Sequence, residues 1–340
     1  PSLPAARPFG DWVRWAGTKD LDRAREFFRE ALRGFDGANE LGIAWRASRD
    51  AFDVREARKV SREIDVETSR GIRETARRLR VTPSVLAEAS WARAIAVTSA
   101  REDVVFGVTL ATRPPELTGI ESTVGPLINT LPLRIATPGD VIASRTLEET
   151  LARFGELQRF DFTPLAEAQS SAGLRGGQPL FETILVFESF PLDEGSLVGP
   201  DGVALERLRA IEHDNFAVTA IVLPLERFVL SLDFDRRRID EDAAERLLDR
   251  FARILAELAR DPDRPWREIS ALPHEERNLT LLEWNATDVP VDPESTIDEL
   301  VSRTAATNGD REAIRASGRS LSYRELMARA DEVASALSSL

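Results

Sequence analysis

The chain of 340 residues contains no cysteine, which removes disulfides, thiolate catalysis and cysteine-ligated metals together. Histidine occurs only at His213 and His274, far apart, and no His, Asp and Glu cluster at ligand spacing accompanies them, so no metal is expected. Lysine is confined to Lys19 and Lys59, leaving arginine to carry nearly all the positive charge. Acidic side chains outnumber basic ones by 58 to 45, and the net charge of −13 repels a phosphate backbone, which excludes nucleic acid as a partner. No apolar run reaches the roughly 18 residues that a membrane span needs, and the opening Pro1–Arg7 lacks the charged and apolar regions of a secretory signal. A cytoplasmic protein without a membrane partner is the expectation. The chain starts at Pro1, holds its single methionine at Met327 and stops at Leu340 inside an amphipathic pattern, so it reads as a segment of something longer.

What is present suffices for a real core: 42% of the residues are hydrophobic, and the length suggests two or so domains. Residues 20–34 read as a helix capped by Asp20, with Leu21, Ala24, Phe28 and Leu32 on one face and Gly34 at its end. Thr82-Pro83 is a helix start, a capping hydroxyl before a proline whose missing N–H costs nothing there. The helix it opens, through Ala100, is apolar nearly all round and should be buried. Strand composition follows at 104–110, 128–135, 183–188, 216–223 and 228–235, the last placing Phe228, Leu230, Leu232 and Phe234 on one face. After Asp240 an amphipathic helix carries Leu247, Phe251, Ile254 and Leu258. Strands interspersed with long helices predict an α/β layered domain. An irregular stretch begins at Asp261-Pro262, and from Ser295 the pattern restarts with a helix, a strand at 313–316, a turn at Gly318 and a final helix with Leu326, Ala330, Val333 and Leu337 along one face.

Several segments are more specific than this periodicity. Asp103-Val-Val-Phe-Gly-Val-Thr-Leu-Ala-Thr-Arg-Pro114, Val124-Gly-Pro-Leu-Ile-Asn-Thr-Leu-Pro-Leu-Arg134, Phe162-Thr-Pro-Leu165 and Gln178-Pro-Leu-Phe-Glu-Thr-Ile-Leu-Val-Phe-Glu188 occur in that order. Together with Phe9-Gly-Asp-Trp-Val-Arg-Trp15, they resemble the second half of the condensation domains of nonribosomal peptide synthetases. Leu281-Leu-Glu-Trp-Asn285 resembles the lead-in between condensation and adenylation (AMP-binding) domains, and Leu321-Ser-Tyr-Arg-Glu-Leu326 resembles the first motif of an adenylation domain. The resemblance implies a condensation-domain C-terminal, acceptor-side lobe over 1–270, a linker over 271–294, and the truncated start of an adenylation domain over 295–340. The implied fold is α/β and chloramphenicol acetyltransferase-like, a mixed sheet with helices, followed by an incomplete adenylation N-terminus.

Condensation domains resembling this one join an acyl or peptidyl thioester to an aminoacyl thioester, both delivered on phosphopantetheine arms by carrier proteins at opposite mouths of a tunnel. The implied partners are donor and acceptor peptidyl carrier domains, an upstream condensation lobe and a downstream adenylation domain. Their reaction depends on His-His-x-x-x-Asp-Gly, which this chain lacks, so no catalytic residue is expected in it and that motif is expected upstream. Asn129, Arg113 and Thr112 are the tunnel candidates. An amide in an apolar strand must be hydrogen-bonded or face a wet space, and the resemblance places Asn129 facing the tunnel; satisfying a neighbouring loop is the alternative. Arg113 resembles a family arginine that holds the lobes together, against the alternative of an arginine in a surface turn. Ala111-Thr112 stands where Ser-Gly is usual. No cofactor is expected in this segment; ATP and Mg²⁺ would belong to a missing adenylation core. An epimerisation domain, a free-standing acyltransferase of the same fold, and a non-catalytic docking or scaffold lobe are the competing readings, an adenylation start just downstream arguing against the first two.

Other apparent motifs fail on context. Asp235-Arg-Arg-Arg-Ile-Asp240 has heterocyclisation-like spacing but reads as a polar turn with Asp240 as helix cap. Gly195-Ser196-Leu197 resembles a carrier serine but is followed by Gly199-Pro200, which cannot continue a helix. Gly173-Leu-Arg-Gly-Gly177 lacks the flanking strand and helix of a phosphate loop. His213 reads as a turn residue and His274 as a linker residue.

Overall fold

A computed structural model describes residues 6–39, 41, 57–174, 179–188, 216–288 and 295–339. His213 and the 195–197 motif lie outside these. The described chain divides into two compact units, Pro1–Glu276 and Arg277–Leu340.

The first unit is built on a six-stranded mixed sheet of order β1-β6-β5-β4-β2-β3. Its strands are β1 (Ala57–Glu63), β2 (Asp103–Ala111), β3 (Ile128–Ala136), β4 (Thr183–Phe187), β5 (Val218–Leu223) and β6 (Val229–Asp235). β4 runs parallel to both β2 and β5, while β1–β6, β5–β6 and β2–β3 pair antiparallel. Helices α1 (Phe9–Gly17) and α2 (Leu21–Ala31) precede the sheet, α3 (Val66–Leu79) and α4 (Pro83–Ser99) link β1 to β2, and α5 (Ala143–Gln158) and α6 (Leu165–Ser171) link β3 to β4. The long α7 (Glu241–Arg260) follows β6, and the short α8 (His274–Asn278) comes next.

The caps show why the helices start where they do. Asp20 accepts from the Arg23 N–H at 3.0 Å, Asp65 from Thr68 at 2.8 Å, Thr82 from Val85 at 3.4 Å and Asp240 from Ala243 at 2.7 Å, each satisfying an orphan donor of a first turn. The 235–240 segment is thus a turn ending in a cap: Asp235 pairs with Arg237, and Asp240 opens α7. α5 has no side-chain cap; its first N–H groups donate to the carbonyls of Arg264 and Pro262, at 2.9 and 2.8 Å. That contact fixes the segment after α7 to α5, and Trp266, fully buried, completes it by donating to the Thr146 hydroxyl at 3.0 Å.

α4 and α7 pack against each other, with Trp91 edge-on to Phe251 at 5.3 Å. Leu247, Phe251, Ile254 and Leu258 of α7 are all buried, as the periodicity predicts. β3 is an edge strand, and its edge is closed to further pairing: Pro132 has no N–H, the Thr130 N–H donates to Asn129 Oδ1 at 2.9 Å, and the Arg134 carbonyl accepts from Arg153 at 2.9 Å.

The second unit holds a π-helical turn (Leu279–Glu283), α9 (Ile297–Asn308), a β7–β8 hairpin (Glu312–Ala316, Arg319–Ser322) and α10 (Tyr323–Ser338). Its two-residue loop, Ser317-Gly318, has positive φ at both positions, 51° and 75°, as a tight right-twisting hairpin requires. None of the helical residues of α9 or α10 is buried; Val333 and Leu337 of the apolar stripe are exposed.

Candidate functional site

The end of the sheet where β2 leaves and β3 returns gathers all three tunnel candidates. Ala111 and Ile128 pair at the ends of the two strands, and the Thr112 N–H donates to the Leu127 carbonyl at 2.9 Å, closing the base of the 112–127 loop. Thr112 is fully buried, and its hydroxyl has no hydrogen-bond partner among the described residues; the same holds for Thr123 and Thr163. Arg113 points back into its own loop: its guanidinium donates to the Ile120 carbonyl at 2.7 Å, with the Glu121 and Thr123 carbonyls at 3.4 and 3.5 Å. It therefore fixes a loop from within the first unit.

Asn129 is half-buried and consumed by local bonds. Its Nδ2 donates to the carbonyls of Asp161 at 2.8 Å and Thr163 at 2.7 Å, while Oδ1 accepts from the Thr130 N–H at 2.9 Å. The amide thereby ties β3 to the 159–164 turn, between α5 and α6. This turn is Arg159-Phe-Asp-Phe-Thr-Pro164, so the Phe-Thr-Pro-Leu segment and the Asn129 strand meet in space.

An aromatic series covers the region. Phe9 stacks on Trp12 at 5.5 Å, Trp12 lies 6.3 Å from Trp15, Trp15 meets Phe162 edge-on at 6.2 Å, and Phe162 lies 6.4 Å from Phe160, which stacks on Phe27 at 4.5 Å. Phe9 packs over Gly125, where a Cβ would run into its ring; glycine is required there for close approach. Lys19 lies 4.2 Å over the Trp15 ring and 3.6 Å from Glu116 of the 112–127 loop. The Asp161 carboxyl is pushed up to about 6, first by burial and then by the charge of Glu116, with Lys19 pulling the other way. Sequence reasoning missed Asp161, because its environment comes from three separated segments.

A cleft of about 460 Å³ opens between α2, β3 and α5, lined by residues that include Phe27, Leu133, Arg134 and Arg153. Its arginines are already engaged: Arg134 holds Asp103 at 2.7 Å and the Arg33 carbonyl at 2.8 Å, and Arg153 holds the Arg134 carbonyl. Thr112, Arg113 and Asn129 do not line it. Among the described residues no group of three or more His, Asp or Glu could hold a metal ion, and no helix is long and apolar enough to cross a membrane.

The comparisons match this geometry to one family. The condensation domain family model matches residues 1–281. Among curated relatives, a linear gramicidin synthase of Brevibacillus parabrevis is 29% identical over 333 residues, covering 98% of this chain and 6% of that protein. Surfactin synthase subunit 2 of Bacillus subtilis (strain 168) is 26% identical, covering 98% of this chain and 9% of that protein. The chain thus spans less than a tenth of the length of these relatives. Among solved structures, the holo form of a four-domain nonribosomal peptide synthetase bound to AMP and glycine gives a TM-score of 0.70 at 15% identity, covering 91% of this chain and 24% of that one. The X-domain from teicoplanin biosynthesis, in complex with OxyB, gives 0.66 at 20% identity, covering 80% and 62%. At these identities the structural likenesses carry the α/β, chloramphenicol acetyltransferase-like fold with its mixed six-stranded sheet.

The expectation of a single acceptor-side lobe followed by a linker and an adenylation start is corrected. The condensation match takes in residues 1–281, including eleven positions (271–281) assigned to the linker, and no adenylation domain is evident beside it. The physical reason lies in the motifs. Ser322 and Glu325 of Leu-Ser-Tyr-Arg-Glu-Leu form a capping box, the Ser322 N–H donating to Glu325 Oε2 at 2.8 Å and the Glu325 N–H to Ser322 Oγ at 3.3 Å. Any helix can open with that pattern. Leu281-Leu-Glu-Trp-Asn285 straddles the end of the π-helical turn, whose carbonyls of Thr280 and Leu281 accept from Asn285 just beyond it, again a local helix-end device. The family match and the sheet topology agree, and the chain belongs to the condensation domain family.

Proposed function

We propose that this chain serves a nonribosomal peptide synthetase in amide bond formation, joining an acyl or peptidyl thioester on one carrier protein to the amine of an aminoacyl thioester on another. The observation that carries the reading is the condensation match over residues 1–281; the gramicidin and surfactin synthase relatives, aligned over 98% of the chain, support it. A thioester is already activated, so the attack needs a positioned amine, an outlet for its proton and stabilisation of the developing oxyanion. In this reading Thr112, Arg113 and Asn129 shape the wall along which a carrier's phosphopantetheine arm enters. The Thr112, Thr123 and Thr163 hydroxyls lie buried behind that wall, each without a partner among the described residues. Arg113 and Asn129 act through the loops they hold.

The chain contains no adjacent histidine pair, and we propose that by itself it binds carriers without forming product. The test supplies the chain with an acyl-loaded donor carrier and an aminoacyl-loaded acceptor carrier, following binding by calorimetry and product by mass spectrometry. Saturable binding of a loaded carrier with no amide above background is the expected result. Amide formation would mean that this chain holds its own proton-transfer group, and failure to bind either carrier would sink the condensation reading.

A further inference from the structure

The Asn129 side chain has two N–H donors and one oxygen with two lone pairs. Both donors are spent on the carbonyls of Asp161 and Thr163, and one lone pair on the Thr130 N–H. Three of its four bonding positions are therefore satisfied inside the protein, which suits a clamp better than a group that contacts substrate. What it clamps is a short turn bearing a carboxyl. Asp161 lies between Phe160 and Phe162, whose rings pack on Phe27 and Trp15, so the turn is held from its backbone by Asn129 and from its flanks by aromatics. Two charged residues from other segments act on that carboxyl: Glu116 of the 112–127 loop, and Lys19 after α1, which also lies over Trp15.

We propose that Asn129 is a positioning residue, whose amide sets the 159–164 turn against β3 and so places the Asp161 carboxyl beside Glu116 and Lys19. The inference rests on reading this end of the sheet as the functional end. Three segments that make up the candidate wall, the 112–127 loop, the 159–164 turn and the residues after α1, then share one electrostatic centre. Burial and Glu116 hold its proton on to about pH 6, so the charge of the wall changes in a range where an ordinary aspartate, with a pKa of about 4, is already ionised.

Carbon-13 NMR of the aspartate carboxyls in the 340-residue chain tests this, with Asp161→Asn identifying the resonance. Wild type should titrate near pH 6. Asn129→Ala should move the Asp161 midpoint down by at least about one pH unit, toward the ordinary value, as the freed turn swings into solvent. Asn129→Thr, which suits a strand and lacks both amide donors, should do the same and stands in if the alanine variant does not fold. Glu116→Gln should lower the midpoint and Lys19→Met should raise it with Asn129 intact. An Asp161 midpoint unchanged in a folded Asn129 variant would overturn the proposal, as would one indifferent to both Glu116 and Lys19. Because the readout needs no carrier protein, its failure is distinct from failure of the condensation reading.

Discussion

Replacing Glu88 by methionine should stabilise the first unit by about 3 kcal/mol at pH 7 and leave it almost indifferent to pH between 6 and 8. Glu88 lies in the middle of α4, on a helix whose residues 85–92 are all buried. Its Oε2 has no hydrogen-bond partner among the described residues. Burial alone pushes its pKa from 4.5 up to about 8, because nothing nearby compensates for removing a carboxylate from water. The sign follows from which state holds the proton. The folded chain keeps it to about pH 8 while the unfolded chain releases it near 4.5, so the stability is fully present below the lower value and drains away as pH rises through the upper one. At pH 7 the difference is about two and a half pH units, or roughly 3 kcal/mol at 1.36 kcal/mol per unit.

Urea denaturation at pH 6 and pH 8, followed by far-UV circular dichroism, measures this directly. Wild type should lose about 2 kcal/mol over that interval; Glu88→Met and Glu88→Gln should both lose far less. Methionine is the better stabiliser, since glutamine buries two new donors. The other perturbed acids do not obscure the window. Asp65, Glu167 and Asp263 are held below their ordinary range, chiefly by hydrogen bonds, so their contributions are complete once the pH exceeds about 5. Asp161 is raised only to about 6. Equal slopes in wild type and both variants would show that Glu88 is not buried as a neutral acid.

The same helix shows what was legible in the sequence. Thr82-Pro83, Asp20 and Asp240 announce their helices because a capping side chain and an apolar stripe are local signals, and α2, α4 and α7 begin within a residue of them. β1 was not legible: Ala-Arg-Lys-Val-Ser-Arg-Glu buries one residue, Val60, out of seven, and its strand character comes from pairing with β6. α3 hides similarly behind its arginines and glutamates, with Ile72 and Ala76 as its thin apolar seam. The site was half legible. Thr112, Arg113 and Asn129 could be marked from one stretch of chain, whereas the 159–164 turn that Asn129 holds lies 32 residues away in sequence, and the meeting of Asp161 with Glu116 and Lys19 joins segments far apart in the chain. The adenylation expectation failed for the complementary reason, since a capping box and a helix end are short patterns that many folds share.

Gly107→Ala should cost about 3 kcal/mol, the upper end of what overpacking a core position causes, and its partner shows why a motif of the family is a packing device. Gly107 lies mid-strand in β2, opposite Pro132 of β3 and Ile184 of β4. A Cβ there would fall 2.6 Å from Phe181 Cε2, 2.7 Å from Ile184 Cγ2 and 2.8 Å from Thr130 Cγ2. Two of these atoms belong to β-branched side chains, stiff at χ1, on the two flanking strands, so neither can swing away without moving backbone. The Phe181 ring can be traded. It closes the Pro179-Leu-Phe181 segment over Gly107 and stacks on Phe216 at 5.5 Å. Phe181→Leu alone should destabilise by about 1–2 kcal/mol through lost burial, yet in combination with Gly107→Ala the total should fall short of the sum by about 1 kcal/mol, because the smaller side chain vacates the space the new methyl needs. Chemical denaturation of the four proteins of this cycle gives the coupling. Strict additivity would mean that the ring does not rest on Gly107, and a Gly107→Ala cost below about 0.5 kcal/mol would mean that the sheet accommodates a methyl where three side chains now meet.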